Sequence, residues 1–254
     1  MAERLYGTAA LVTGASSGIG AATALELAGL GASVALVARR SDRLEELAAT
    51  IRRQGGRALV LAADITDEPQ ARDVVARTAA ELGRLDTLVN NAGVMLLGPV
   101  QDAPLTEWQR MININVLGLM YCTHAALPLL LDAASSGPRQ VADLVNVSSV
   151  AGRVARSGSA AYNATKHAVG AFSEALRQEM TKRHLRVSLV EPGAVDTELA
   201  GHNRPEILTG LNERFANEER MQAGDIAEII SFIVTRPRRT AINEVLVRPT
   251  EQER

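Results

Sequence analysis

Short apolar runs alternate with amphipathic stretches from one end of this chain to the other. Seven runs of five to seven residues, rich in valine, leucine and alanine, fall at 8–12, 33–37, 57–63, 85–89, 142–147, 186–190 and 243–247. Nearly continuous apolar runs of that length read as strands covered on both faces, as in a parallel sheet. Between them apolar residues recur at helical spacing, over 21–30, 41–54, 68–82, 106–131, 162–184 and 225–235. Regular alternation of strand and helix predicts an α/β fold, a doubly wound parallel sheet of about seven strands flanked by helices. No repeat, low-complexity run or linker interrupts the pattern, so residues 1–254 are expected to form a single domain.

Local signals place several boundaries. Gly55-Gly56 stops the second helix. Asp67 has the character of an N-cap, with Glu68 and Pro69 in the first turn. Thr106 and Gln109 have capping-box spacing ahead of a long helix. Between 198 and 224 polarity rises and periodicity weakens, which marks a variable segment rather than a second domain.

Composition narrows the function classes. Apolar residues make up 46% of the 254-residue chain, enough for a large core, and the net charge is only −2. Such a balance gives no global attraction to nucleic acid or anionic membrane, and neither is expected as a partner. The lone cysteine, Cys122, lies in an apolar stretch and reads as core filling in a reducing compartment. No apolar leader is visible, Pro128 and polar residues break the longest apolar run, and a cytoplasmic location is expected. No grouping of side chains suggests a metal site.

The first strand is followed by Thr13-Gly14-Ala15-Ser16-Ser17-Gly18-Ile19-Gly20 and then a helix. Strand, glycine turn and helix make a dinucleotide-binding start, because glycines let the backbone approach a pyrophosphate that meets the helix N-terminus. The second strand ends in Ala38-Arg39-Arg40. A site for NAD usually carries a carboxylate there for the ribose hydroxyls; Ala38 carries none, and an adjacent guanidinium suits the 2′-phosphate of NADP. NADP(H) is therefore the expected cofactor.

The strongest candidate for chemistry lies after the fifth strand. Tyr162 and Lys166, four apart on a helix, share one face. A lysine beside a phenol favours the phenolate, which predicts a tyrosine pKa lowered toward the neutral range. The chain holds only two lysines, Lys166 and Lys182, so one placed a turn after one of three tyrosines is under constraint. Ser149, at the end of the preceding strand, offers a hydroxyl to the same reacting oxygen.

The set Ser149, Tyr162 and Lys166, with Thr13-Gly-x-x-x-Gly-Ile-Gly20 and Asn90-Asn91-Ala92-Gly93, resembles the short-chain dehydrogenases/reductases of the compact single-domain type. The resemblance implies a Rossmann-type fold and reversible hydride transfer between nicotinamide and a carbonyl or alcohol substrate. It implies Tyr162 as general acid/base, Ser149 polarising the carbonyl, Lys166 on the ribose, and Asn115 (with Asn113 as the neighbouring alternative) holding a relay water. It assigns the cofactor to Gly14, Ser16, Ser17, Gly18, Ile19, Gly20, Arg39 and Arg40, to Asp64 and Ile65 beside the adenine, and to Asn91, Ala92 and Gly93. On the nicotinamide side it adds Pro192, Gly193, Val195 and Thr197. Residues 198–224 take the place of the family's variable substrate lid, and a homodimer or homotetramer is implied. Within the family, the stretch 90–100 with Gly118-Leu119-Met120-Tyr121 and Val247-Arg248-Pro249-Thr250 resembles the clavulanic acid dehydrogenase and 3-hydroxy acid (serine-type) dehydrogenase subgroup.

Substrate contacts are expected from Ser149, Tyr162, Met95, Arg153 and His202. Arg153, Arg156, His202 and Arg204 put cationic donors near the site, which favours a polar carbonyl compound bearing a carboxylate. The alternative to an enzyme is an NADP-binding regulator of the same fold without turnover.

Overall fold

The computed structural model describes residues 5–214 and 219–253. Its strands are β1 (Ala9–Thr13), β2 (Ser33–Ala38), β3 (Arg57–Ala62), β4 (Thr87–Asn90), β5 (Ala142–Val147), β6 (Leu185–Pro192) and β7 (Glu244–Val247). They form one sheet in the order β3-β2-β1-β4-β5-β6-β7, with every neighbouring pair parallel. The chain winds outward from β1 in one direction, then crosses to β4 and winds outward in the other. The carboxyl ends of β1 and β4 therefore flank the switch point, where open α/β sheets bind ligands.

Helices cover both faces. On one side lie α1 (Gly18–Gly29), α2 (Ser41–Arg53) and, following α7 (Pro205–Arg214) in the chain, α8 (Ala223–Val234), packed through Leu27, Ile51 and Ile230. On the other lie α3 (Glu68–Leu82), α5 (Leu119–Ser136) and α6 (Ala160–Met180), packed through Val74, Leu130 and Leu176. Successive strand residues serve opposite cores: Val34 and Leu36 face the first, Ala35 and Val37 the second. Double coverage is why the strands read as unbroken apolar runs. Each fully buried leucine or isoleucine contributes about 1.5–3 kcal/mol.

At the amino ends of the strands, Arg186 is buried and forks onto Asp143, Nε to Oδ1 at 2.7 Å and Nη2 to Oδ2 at 2.9 Å. Arg186 also donates to the carbonyls of Val234 and Thr240, tying β6 to the segment between α8 and β7. This network stiffens the end of the sheet opposite the switch point.

Three expectations are corrected. The long helix starts at Leu105 with Pro104 at its N-cap and no side-chain cap, so Thr106 and Gln109 form no capping box. It runs as α4 (Leu105–Ile112), a π-helical stretch (Asn113–Gly118) and α5, so that Leu105–Ser136 is one 32-residue helix with a mean hydropathy of 1.6 in its most apolar 18-residue window. By length and composition that helix is sufficient to cross a membrane, because Pro128 is accommodated inside it; Cys122, Ala126 and Leu130 are buried against the sheet. On α6 an apolar side of Ala164, Ala168, Phe172, Ala175 and Leu176 is expected from the sequence and holds only in part: Leu176 is buried and Phe172 packs against the core, but Ala164 and Ala175 are exposed, and Tyr162, Thr165, Lys166, Val169 and Ser173 are buried instead.

Candidate active site

The carboxyl ends of β1, β2, β4, β5 and β6 open into a groove of about 310 Å³. Its floor is set by the glycine loop. Gly14 has φ +67° and lies so close to β4 that a Cβ would come within 2.8 Å of Ala92 Cα. A Cβ on Gly20 would collide with the Gly14 carbonyl oxygen and the Asn91 amide. Side chains at either position would push the loop out of the groove. Thr13 and Asn91 lock the two strand ends together. Thr13 Oγ1 accepts from the main-chain N–H of Asn91 and Ala92 at 3.0 and 3.1 Å, and Asn91 Nδ2 donates to the Thr13 carbonyl at 3.0 Å. At the start of α1, Ser17 occupies the N-cap without a side-chain hydrogen bond to the first turn. The first N–H groups of α1 thus remain directed at the groove, as a phosphate requires.

The groove is lined by Gly14, Ser16, Ser17, Gly18 and Ile19 from the glycine loop, by Arg39 and Arg40 after β2, and by Asp64 and Ile65 after β3. Asn91, Ala92 and Gly93 line it after β4, and Pro192, Gly193, Val195 and Thr197 after β6. Ser149, Tyr162, Lys166 and His202 complete it. Gly20 lies behind the loop rather than on the surface of the groove. Ser148, Ile114, Glu198 and Leu199 also line it and were not singled out from sequence. Glu198 falls where periodicity is weakest, and no local motif marks it.

At one end of the groove the reactive groups gather. Tyr162 and Lys166 are both buried on the inner face of α6. Lys166 Nζ donates to the Val147 carbonyl at 3.0 Å and lies 5.8 Å from the centre of the Tyr162 ring. Ser149 Oγ accepts from the Ala151 N–H at 3.1 Å. The expected lowering of the phenol is not found. Burial pushes Tyr162 up to about 12, with the Ser149 side chain acting weakly the other way, and brings Lys166 down to about 8. Desolvation opposes the charged form of each side chain and sets the direction of both shifts.

Asn115 sits in the π-helical stretch and is buried, whereas Asn113 is exposed. Its Oδ1 accepts from Val94 N–H at 2.8 Å, and its Nδ2 donates to the Val94 carbonyl at 2.9 Å and Thr165 Oγ1 at 3.1 Å. The side chain is thereby spent on holding the loop after β4 against α6. Behind it Asn90 Nδ2 donates to Thr123 Oγ1 and Asn146 Oδ1, each at 2.9 Å, which satisfies amide donors at the ends of two buried strands.

Beside Tyr162 an apolar wall is built from Val94, Leu96 and Met111, with Met95, Leu97, Trp108 and Ile114 against them. Asn203 braces this wall, its Oδ1 accepting from Leu97 N–H at 2.7 Å and its Nδ2 donating to the Met95 carbonyl at 2.9 Å. His202 lines the groove; partial burial, then the charges of Arg110 and Arg40, lower its pKa, which favours the neutral ring.

Arg153 does not take the substrate-side position expected of it. Its Nε donates to both oxygens of Glu191, at 2.8 and 2.7 Å, and its Nη2 pairs with Glu244. Glu191 is buried, and burial raises its pKa despite the guanidinium, so the pair is needed where it is. Arg204 is likewise engaged, pairing with Glu107 at 3.2 Å and Glu206 at 3.1 Å.

Comparison with known proteins agrees with this geometry. The short chain dehydrogenase family profile matches residues 8–207. An uncharacterized oxidoreductase of Staphylococcus saprophyticus is 34% identical over 245 residues, covering 95% of this chain and 96% of that one. Another, of Staphylococcus aureus, is 32% identical over 240 residues, covering 94% and 96%. Among solved structures, a metagenomic short-chain oxidoreductase in complex with NADP is 32% identical with a TM-score of 0.81, covering 98% of this chain and 100% of that one. A serine dehydrogenase complexed with NADP+, in its closed form, is 29% identical with a TM-score of 0.89, covering 97% of each chain. Glycine loop, buried tyrosine–lysine pair and these relatives agree: the chain is an oxidoreductase that belongs to the short chain dehydrogenase family.

Proposed function

We propose that this protein is an NADP(H)-dependent oxidoreductase interconverting a carbonyl compound and its alcohol, with Tyr162 as general acid/base. The observation that carries the reading is that Ser149, Tyr162 and Lys166 meet at one end of a groove whose other end carries Arg39 and Arg40. The residues present fit the cofactor. The exposed α1 amides with Ser16, Ser17, Gly18 and Ile19 take the pyrophosphate, Arg39 and Arg40 the 2′-phosphate, and Asp64 and Ile65 the adenine side. Asn91, Ala92, Gly93, Pro192, Gly193, Val195 and Thr197 enclose the nicotinamide side.

When bound, the nicotinamide supplies or accepts the hydride. The chain's own residues handle the proton and the charge. Tyr162, with its pKa pushed up to about 12, is fully protonated at neutral pH and donates to the developing alkoxide. Ser149 donates a hydrogen bond to the same oxygen. Lys166 holds ribose hydroxyls and, when protonated, eases loss of the phenolic proton. Asn115, with its side-chain donors spent on Val94 and Thr165, can hold a relay water only through an acceptor oxygen.

Met95, Leu97, Trp108 and Ile114 favour a substrate with apolar groups flanking the carbonyl, and His202 supplies a hydrogen-bonding group, favoured in its neutral form, along the groove. With Arg153 engaged elsewhere, the expectation of a carboxylate-bearing substrate loses one of its supports, while Arg204 pairs with Glu107 and Glu206 but keeps Nη2 without a hydrogen-bond partner among the described residues. The chain acts as one domain and assembles as a homodimer or homotetramer; of the expected lid over 198–224, residues 215–218 lie outside the described residues, and Glu198, Leu199 and His202 line the groove.

Consumption of NADPH, followed by its nicotinamide absorbance against a broad panel of aldehydes and ketones, tests the reading. Turnover with at least one class of carbonyl is expected. Tight NADPH binding without turnover across the panel would replace it with the regulator reading.

A further inference from the structure

Glu198 is the charged residue of the groove that this mechanism leaves unused. It opens the short 3-10 turn Glu198–His202, directly after Thr197. Its carboxylate reaches across to the end of β2, where Oε2 accepts from Arg40 Nη1 at 2.8 Å and Oε1 from Arg43 Nη1 at 3.4 Å. The other nitrogens of Arg40 are held by the glycine loop. Nε and Nη2 donate to Ser16 Oγ at 3.2 and 3.0 Å, and Nη2 donates to Ser17 Oγ at 2.7 Å. Arg39, next to it, makes no ion pair among the described residues.

The Arg40–Glu198 pair lies at the surface, with the two side chains 43% and 46% exposed, where an ion pair adds little to folding. Its placement matters more for binding. The guanidinium available to a 2′-phosphate already carries an anion from the chain itself, and two anions at one cation repel each other. Removing that carboxylate would not set Arg40 loose, because Ser16 Oγ still accepts from both Nε and Nη2, although Ser17, which accepts from Nη2, also bonds the Glu198 carboxylate.

Resting on the reading of the groove as an NADP(H) site, we propose that Glu198 is a selectivity residue, an internal competitor that the 2′-phosphate must displace from Arg40. It lowers affinity for the phosphorylated cofactor and leaves affinity for NAD(H) nearly untouched. NADP(H) preference is thereby held below what Arg39 and Arg40 alone would give.

Calorimetric titration of the full-length protein with NADPH, NADH and adenosine 2′,5′-bisphosphate tests this in wild type, Glu198→Gln, Arg40→Gln and the double variant. Unfolding midpoints check that each is folded. Glu198→Gln is expected to tighten NADPH and the bisphosphate by about 2- to 5-fold, the range of a partly screened surface charge contact, and to leave NADH affinity unchanged. Arg40→Gln is expected to weaken NADPH and to abolish most of the gain from Glu198→Gln. Weaker NADPH binding by Glu198→Gln would show that the carboxylate helps orient Arg40, and overturns the proposal. Equal tightening of NADPH and NADH also overturns it. A wild type that binds NADH as tightly as NADPH defeats the cofactor reading itself, and the proposal with it; that outcome is read from wild type alone, separately from the sign of the variant's effect.

Discussion

In the proposed mechanism Lys166 serves the chemistry, whereas its burial is unfavourable for folding, and the two roles separate in one substitution. Its ammonium is buried, burial is the cause that moves its pKa from 10.5 to about 8, and the Val147 carbonyl is its hydrogen-bond acceptor. In the unfolded chain the lysine titrates at its ordinary value. Between about pH 8 and pH 10.5 the unfolded state therefore holds a proton that the folded state has released, and stability rises with pH across that window. Below it both states are protonated and the penalty is present in full. At about 1.4 kcal/mol for each pH unit, the gap between 10.5 and about 8 comes to about 3 kcal/mol. Lys166→Met removes the charge and keeps an unbranched chain in the same space, at the loss of one hydrogen bond worth about 1 kcal/mol. Without nucleotide, the variant is expected to be about 2 kcal/mol more stable than wild type at pH 7, the difference fading toward pH 10. Turnover should collapse at the same time. Urea unfolding followed by circular dichroism at several pH values between 7 and 10 reads both slopes. A variant less stable than wild type at pH 7, or a wild-type stability flat across that range, refutes the reasoning.

Three other outcomes follow from particular contacts. Arg153→Ala leaves Glu191 buried without its partner and should lower stability by about 2 kcal/mol in urea unfolding, with no selective loss of kcat/KM for carboxylate-bearing over matched neutral substrates. Gly20→Ala drives a Cβ into the Gly14 carbonyl oxygen; NADPH titration is expected to show affinity at least about 10-fold weaker, a loss of the size of one charge-assisted hydrogen bond. Ala38→Asp combined with Arg39→Ser adds a ribose acceptor and removes a 2′-phosphate partner, and the ratio of kcat/KM for NADPH over NADH should fall below that of wild type.

The sheet was legible because strands buried on both faces leave nearly unbroken apolar runs, and each of the seven expected runs overlaps a strand. The glycine loop was legible because backbone must approach backbone there, as the positions of Gly14 and Gly20 make plain. What stayed hidden depends on partners far away in sequence. Arg153 read as a free cation because its acceptors, Glu191 and Glu244, lie 38 and 91 residues on. Glu198 read as part of a polar loop because Arg40 is 158 residues earlier. The pKa of Tyr162 went the opposite way from the expectation because spacing reveals a neighbouring charge but not the depth of burial. Helical phase held only in part on α6 for a related reason. The face turned inward carries Thr165, Lys166 and Ser173, whose polar groups find partners inside, and hydropathy assigns such residues to the surface.

The central claim is that the Tyr162 hydroxyl carries the proton while the rest of the groove binds the cofactor. Tyr162→Phe isolates it, since the ring still packs against Val94, Leu96 and Met111 and only the oxygen is lost. The decisive measurement pairs the NADPH dissociation constant with single-turnover carbonyl reduction in the same preparation of wild type and variant. The account predicts a dissociation constant within about 2-fold of wild type and a rate lower by roughly 10²–10⁴-fold, the usual loss when a positioned general acid is removed. A variant that reduces its substrate at close to the wild-type rate would contradict it.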